Sequence, residues 1–241
     1  MLLKDLSFKT PEENILLDEV LLHLAEQEHQ GQVLRFWESA QLFIVLGKTG
    51  VVEEDVWMDR VRQEKIPVLR RSSGGGTVVQ GKGCLNFSLI LSKQSHPALH
   101  DLRQSYSYIL GKVIAALSSL NVDAVFKPIF DLALRASEKK FSGNAQRRAR
   151  NFILHHGTIL YDFDLSVIER FLKMPGKIPE YRRGRSHRDF VTNISCSAED
   201  LKAALAHIFQ VEKKESSLEN QEETCLKEFL KTSLTRNTPL V

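Results

Sequence analysis

The sequence predicts an α/β domain, a mixed sheet flanked by helices, and three observations carry that expectation. A helical run of leucines fills residues 10–27, short β-rich runs such as VLRFW and FIVLG follow it, and a second long helical stretch covers residues 99–120. The length of 241 residues, with 42% hydrophobic and 26% charged side chains, suits one large domain with a real core. That composition argues against a disordered, fibrous or membrane protein, and no run approaches the roughly 18 apolar residues of a spanning helix. The formal net charge of +3 is too small to mark a nucleic-acid binder. Neither nucleic acid nor membrane is therefore expected as a partner.

The elements follow in order. Thr10 is a cap, Pro11 takes the first helical position and acids fill the first turn of the opening helix. Two strands, VLRFWES and QLFIVLG, precede a helix at residues 55–64 and a strand at IPVLRR. TVVQGKGCLNFSLIL reads as one further strand, DAVFKPIFDLAL and KKFSGNAQ as strands broken by turns, and NFILHHGTILYDF as a strand pair. A short helix covers residues 165–172. Residues 174–190, rich in proline, glycine and arginine, form a surface loop of a length usually kept for function. Ser197 starts another helix with a capping-box-like SAED, and ETCLKEFLKTSL is a helical patch in a polar tail. The expected unit is one domain over residues 1–241, with a core at about 10–205 and a C-terminal tail at 206–241. The N-terminus shows no secretory signal, and Cys84, Cys196 and Cys225 are few, odd in number and widely spaced. Both features predict a cytoplasmic protein.

RRSSGGGTVV, residues 70–79, poses the chemical question. Each glycine loses more backbone freedom on folding than any residue with a Cβ, so three in a row are costly. They stand between two strands rather than before a helix, and no lysine and hydroxyl residue follow them, which rules out the P-loop pattern. Bare backbone flanked by Arg70, Arg71, Ser72 and Ser73 suits a loop lying against a ligand with anionic oxygens. Further along, Lys139 and Lys140 precede another Ser-Gly turn, and His155-His156-Gly157-Thr158 follows a basic run. A lysine there can follow a phosphate and a carbonyl through a reaction in which charge builds up.

With these blocks together the chain resembles the lipoate-protein ligases, within the wider group of biotin and lipoate ligases and octanoyltransferases. RRSSGGGTVV, KFSGNA (140–145), HHGTIL (155–160) and FVTNI (190–194) match that family's blocks in order and at similar spacing, and the likeness reaches Asn14 and Asp18 of the entry helix. The resemblance implies the biotin/lipoate ligase catalytic-domain fold, a largely antiparallel sheet flanked by helices. It implies ATP, Mg2+ and lipoate as reactants, lipoyl-AMP as intermediate, and a lysine of an acceptor as the final nucleophile. The acceptors implied are apo lipoyl domains of 2-oxoacid dehydrogenase complexes or the glycine-cleavage H protein.

Carried over residue by residue, Lys140 would contact the carbonyl and α-phosphate oxygens as the catalytic group, and Lys139 is read as solvated. Arg70 with Ser72, Ser73, Gly74, Gly75, Gly76 and Thr77 would line the lipoyl and phosphate side, with Arg71 turned the other way if the strand alternates. Asp131 would contact adenine, ribose or metal. Ser142, Gly143, Asn144 and Ala145 would shape the adenylate pocket. His156, Gly157 and Thr158 lie on a strand, where the imidazole is either a pocket group or a packed core histidine. No carboxylate cluster locates the metal. Arg147, Arg148, Arg150 and the loop at residues 182–188 either attract an acidic lipoyl domain or polyphosphate or are merely solvated.

Three departures keep alternatives open. Ile129 stands where one branch of octanoyltransferases has its nucleophilic cysteine, and Cys84 and Cys196 read as small buried thiols. Transfer from acyl carrier protein without ATP is the runner-up. Only some 35 residues follow position 205, too few for the accessory domain of many ligases, so a separate accessory subunit or supplied lipoyl-AMP is the third reading. A biotin ligase fits KFSGNA less well, and a lipoate-storing protein without turnover would not need Lys140.

Overall fold

The structure is a computed structural model and describes residues 1–236. Eleven strands form two sheets among the described residues. The larger has eight strands in the order β11 (Lys213–Glu215), β1 (Leu2–Asp5), β2 (Val33–Trp37), β6 (Cys84–Ser92), β10 (Phe152–Leu160), β9 (Lys140–Arg148), β8 (Asp131–Leu134) and β7 (Ala124–Lys127). β1 pairs in parallel with both β11 and β2, and every other pairing in this sheet is antiparallel. The smaller sheet holds β4 (Val68–Arg70), β3 (Phe43–Leu46) and β5 (Val78–Gln80). The mixed, largely antiparallel α/β fold expected from the sequence is thus the one observed.

Side-chain alternation along β6 and β10 divides the molecule. Leu85, Phe87, Leu89 and Leu91, with Ile153 and Ile159, face α4 (Leu102–Ser119) and α7 (Ala198–Ile208) in one core. On the other face Ile90 and Leu154 pack against α1 (Pro11–Glu26) and α8 (Asn220–Arg236). The small sheet packs farther along that second face, against α3 (Met58–Glu64) and α5 (Ser166–Phe171). Between these two apolar clusters the second face turns polar: Asn86, Ser88, His156 and Thr158 lie there, bonded to one another or to neighbouring elements. A sheet face that is polar in its middle and apolar on both flanks is where the fold leaves room for chemistry.

Several expected elements take a different form. The helix at residues 55–64 is two short ones, α2 (Val52–Asp55) and α3, interrupted at Val56, which bridges to Leu172. TVVQGKGCLNFSLIL is two strands in different sheets, β5 and β6, because the turn at residues 81–83 redirects the chain at Gly83, whose φ is +87°. The segment read as a strand pair is the single strand β10, whose partners are β6 and β9. The loop at residues 174–190 carries two short helical pieces, a 3-10 turn at Glu180–Arg182 and α6 (His187–Phe190).

The residues read as a tail are fastened to the sheet by a buried charge. Lys4, fully buried in β1, bonds Glu215 of β11 at 2.8 Å and Glu222 of α8 at 2.9 Å. Glu222 is itself buried and also accepts from Gln30. Residues 237–241 of the tail lie outside the described residues. Breaking a buried pair leaves an uncompensated charge, so Lys4→Met is expected to cost about 3–5 kcal/mol, read as a lower midpoint in chemical denaturation. An unchanged midpoint would show that the tail adds nothing to the core.

Candidate functional site

The glycine turn is built on Arg71. Its Nε donates to Ser73 Oγ at 3.1 Å, and its terminal nitrogen donates to the carbonyls of Gly74 at 2.7 Å and Gly76 at 2.8 Å. Burial pulls the guanidinium down to about 10, which leaves it charged at neutral pH. Because a trans peptide sets its N–H opposite its C=O, drawing those two carbonyls toward Arg71 turns the N–H groups of Gly75 and Thr77 away from it. Neither has an acceptor among the described residues. Two donors are thus left free at an exposed turn.

The three glycines differ in what they do. Gly75 has φ +92°, a conformation that suits glycine, and its carbonyl lies where a Cβ on Gly47 would stand, at 2.0 Å. A Cβ on Gly74 or Gly76 would meet nothing within 4 Å. Arg70 points elsewhere: it donates to the carbonyls of Gly47, Lys48 and Gly50 and holds the loop after β3. The two arginines face different loops, but the one beneath the glycines is Arg71, where Arg70 is expected from the sequence. Ser72 is partly exposed beside them, and Thr77 Oγ1 donates to Asp55 at 2.5 Å.

The turn meets the polar stretch of the sheet face through Ser73. Ser73 Oγ lies 2.6 Å from His156 Nε2, and His156 Nδ1 lies 3.5 Å from Asp18 Oδ2. Asp18 is buried and is held from three sides, by Arg35 at 2.6 Å, Ser88 at 2.6 Å and His156. Burial works to raise its carboxyl, yet Arg35 and the two bonds outweigh it and hold it below the usual range. A carboxylate only accepts, so a neutral His156 carries its proton on Nδ1, and Nε2 accepts from the Ser73 hydroxyl.

At the start of β9 stands the lysine. Lys140 Nζ bonds Asp131 Oδ1 at 2.7 Å and lies 3.1 Å from where a Cβ on Gly143 would be. Asp131 Oδ2 accepts from Tyr181 at 2.6 Å; burial first and the Asp131 charge second push that phenol up, so it stays a donor. The FVTNI segment fixes the lysine from behind, since Thr192 N donates to the Lys140 carbonyl at 2.9 Å and Asn193 bonds Phe163. Gly143 pairs with Thr158, and Ala145 with His156. Gly75 approaches Ala145, whose Cβ is 3.9 Å from its own Cβ position. Ser73, Gly75, Gly143, Ala145, His156, Thr158, Asp131 and Lys140 therefore converge on one face.

Ser142, Asn144 and Gly157 belong to the strands rather than to that face. Asn144 donates to the Phe130 carbonyl, and its Oδ1 lies 2.1 Å from a Gly157 Cβ position, so Gly157 makes room for Asn144 and Phe87. Ser142 is buried and accepts from Asn144. His155, fully buried, packs against Phe87 and Tyr106, and burial with the neighbouring His156 lowers it to about 3. The basic runs are largely spent internally: Arg147 pairs with Glu19, Arg148 bonds the Leu99 and His100 carbonyls, and Arg182 and Arg185 bond backbone carbonyls.

Cys84 is buried and its thiol is pushed up by burial, and burial also raises Cys196, so neither is an activated nucleophile. Ile129 is exposed. No group of three or more His, Cys, Asp or Glu side chains among the described residues is placed to hold a metal ion, and both Asp131 oxygens are engaged. No helix among the described residues is long and apolar enough to cross a membrane.

This geometry can be set beside known proteins. The family model of the lipoyl protein ligase A/B catalytic domain matches residues 10–229. The probable lipoate-protein ligase A of Mycoplasma genitalium is 34% identical over 161 residues, covering 67% of this chain and 46% of that protein. Lipoate-protein ligase A subunit 1 of Thermoplasma acidophilum is 26% identical over 213 residues, covering 82% of this chain and 79% of that one. A crystal structure of a lipoate-protein ligase A bound with ATP superposes with a TM-score of 0.80 at 24% identity, covering 95% of this chain and 93% of that one, and shows the common fold. The chain belongs to the lipoyl protein ligase A/B catalytic-domain family. It spans less than half the length of the first curated relatives it matches.

Proposed function

We propose that the chain is the catalytic unit of a lipoate-protein ligase, which joins lipoate to ATP as lipoyl-AMP and passes the lipoyl group to a lysine of an apo lipoyl domain. The observation that carries this reading is the convergence of an amide-bearing glycine turn and Lys140 on one polar sheet face. A carboxylate and an α-phosphate repel as they approach. Charge spreads over oxygens in the transition state, where fixed donors and a cation stabilise it most. The free N–H groups of Gly75 and Thr77 supply the donors, and Lys140 the cation. Lys140 leaves Asp131 to contact the acyl carbonyl and α-phosphate, while Tyr181 keeps Asp131 in place. Gly143 and Ala145 leave room for the nucleotide, and Arg70 holds the loop bordering the turn. Magnesium would enter with the nucleotide phosphates, since no group of three or more metal-ligating side chains is assembled among the described residues.

A second reading rests on the likeness to a ligase named as subunit 1. In that reading an accessory chain is needed for adenylation, and the present chain alone transfers from ready-made lipoyl-AMP. Transfer from octanoyl acyl carrier protein has less support, because Ile129 is no nucleophile and Cys84 and Cys196 are not activated. The test mixes the purified chain with apo lipoyl domain and one of three donors: lipoate with Mg-ATP, lipoyl-AMP, or octanoyl acyl carrier protein. The acceptor is then weighed by mass spectrometry. A lipoyl mass gain from the first two donors is expected; gain from lipoyl-AMP alone selects the accessory-chain reading, and gain from the carrier alone contradicts the ligase.

A further inference from the structure

We propose that Ser73, His156 and Asp18 form a proton relay that takes a proton from the acceptor lysine's ammonium and so frees its nitrogen to attack the acyl-adenylate. The inference rests on the transfer reaction proposed above and assigns that site a step for which Lys140, a cation, is unsuited. An ε-ammonium has an ordinary pKa near 10.4 and cannot attack until its nitrogen is free of a proton. Something beside the acyl carbon has to accept protons. Lys140 carries no lone pair while charged, and Asp131 has both oxygens committed to Lys140 and Tyr181.

The relay has the order such a step needs. Ser73 belongs to the glycine turn, and its hydroxyl donates to His156 Nε2 at 2.6 Å while accepting from Arg71 Nε at 3.1 Å. The donor at Nδ1 faces Asp18, whose second oxygen is fixed by Arg35. His156 pairs across the strands with Ala145, and the Lys140 ammonium lies over Gly143, two residues away on the same strand, a backbone offset of about 7 Å along the sheet. The two groups therefore flank one acyl carbon rather than contact each other.

The atoms balance as follows. One ammonium proton goes to Ser73 Oγ as the Ser73 hydroxyl proton goes to His156 Nε2, which frees a lone pair on the lysine nitrogen. That nitrogen forms its bond to the acyl carbon, the carbon–oxygen bond to phosphate breaks, AMP leaves with that electron pair, and the second nitrogen proton passes to solvent, as it also does when hydroxylamine attacks. The imidazolium so formed faces the Asp18 carboxylate and returns its proton to solvent. The charged or titratable groups packed round His156 are Asp18 from α1, Arg35 from β2, Arg71 from the turn and His155 next along β10. Asp18 is the one anion among them, and it acts as a positioning residue through His156.

The test uses the whole chain with ready-made lipoyl-AMP and two nucleophiles, an apo lipoyl domain and hydroxylamine, which is already neutral at pH 7. His156→Gln is expected to slow transfer to the lipoyl domain about 100-fold at pH 7, the ordinary yield of a general base. The deficit should shrink as pH rises toward 9, while hydroxamate formation stays near the wild-type rate. Asp18→Asn should show the same pH signature with a smaller loss. Equal transfer by His156→Gln and wild type at pH 7, or an equal loss with both nucleophiles, would overturn the relay and leave His156 a packing group. A wild-type chain that converts lipoyl-AMP with neither nucleophile would instead sink the functional reading beneath it.

Discussion

Lys140→Ala is expected to lower lipoylation of an apo lipoyl domain by about 100- to 1,000-fold, the usual loss when one fixed stabiliser of a developing oxyanion is removed. The fold should survive the change. The Lys140 side chain is more than a quarter exposed, its backbone is held by Thr192, and Asp131 keeps its bond to Tyr181. The measurement is acceptor mass gain per unit time beside a thermal melt. Full activity with an unchanged melt would remove Lys140 from the chemistry. Lys140→Arg gives a sharper control, because a planar fork cannot replace a point charge on a flexible stem. It should recover little activity.

Gly47→Ala and Gly76→Ala are expected to part company. A Cβ at Gly47 would sit 2.0 Å from the Gly75 carbonyl and 3.3 Å from the Arg71 guanidinium, so the whole turn would have to move. We expect a stability loss of about 1–3 kcal/mol together with loss of acyl-adenylate binding. At Gly76 the fold offers a Cβ open space, and stability should stay within about 0.5 kcal/mol of wild type. If the acyl-adenylate lies against the turn, that same Cβ enters its space and weakens binding tenfold or more, about 1.4 kcal/mol. A Gly76→Ala chain with both properties intact would make the triple glycine a turn and nothing else.

Much of this site was legible in the sequence because its chemistry sits in compact blocks. Three adjacent glycines, a lysine before Ser-Gly and a His-Gly-Thr strand are unusual enough to be noticed; alternation puts Gly143, Ala145, His156 and Thr158 on one face, and a register irregularity at the start of β9 brings Lys140, opposite Ala133, onto that face as well. Alternation also set Ser142, Asn144 and Gly157 on the other face, where they pack the strands. What the blocks could not show were partners distant in the chain. Asp18 looked like one acid in a helix, and only its contact with Arg35, a charge buried in an apolar strand, and with Ser88 gives it a role. Arg35 and Lys4 are the signals that were available: a cation inside a short β-rich run has to find a carboxylate.

The same limit explains β1 and β11. LLKD and KKE are too short and too polar to stand out as strands, and they form because each pairs with a neighbour already fixed by the core. The choice between Arg70 and Arg71 turned on where β4 ends. Both are placed by carbonyls of loops, at Gly47 to Gly50 and at Gly74 to Gly76, whose paths no local propensity dictates.

The measurement that tests the central claim most directly is a crystal structure of the chain with a non-hydrolysable lipoyl-AMP analogue. The account predicts the acyl–phosphate linkage between the glycine turn and β9, with Lys140 Nζ on its oxygens, the Gly75 or Thr77 N–H donating to it, and Ser73 next to the acyl carbon. An analogue bound away from residues 72–77, with Lys140 still paired to Asp131, would contradict it.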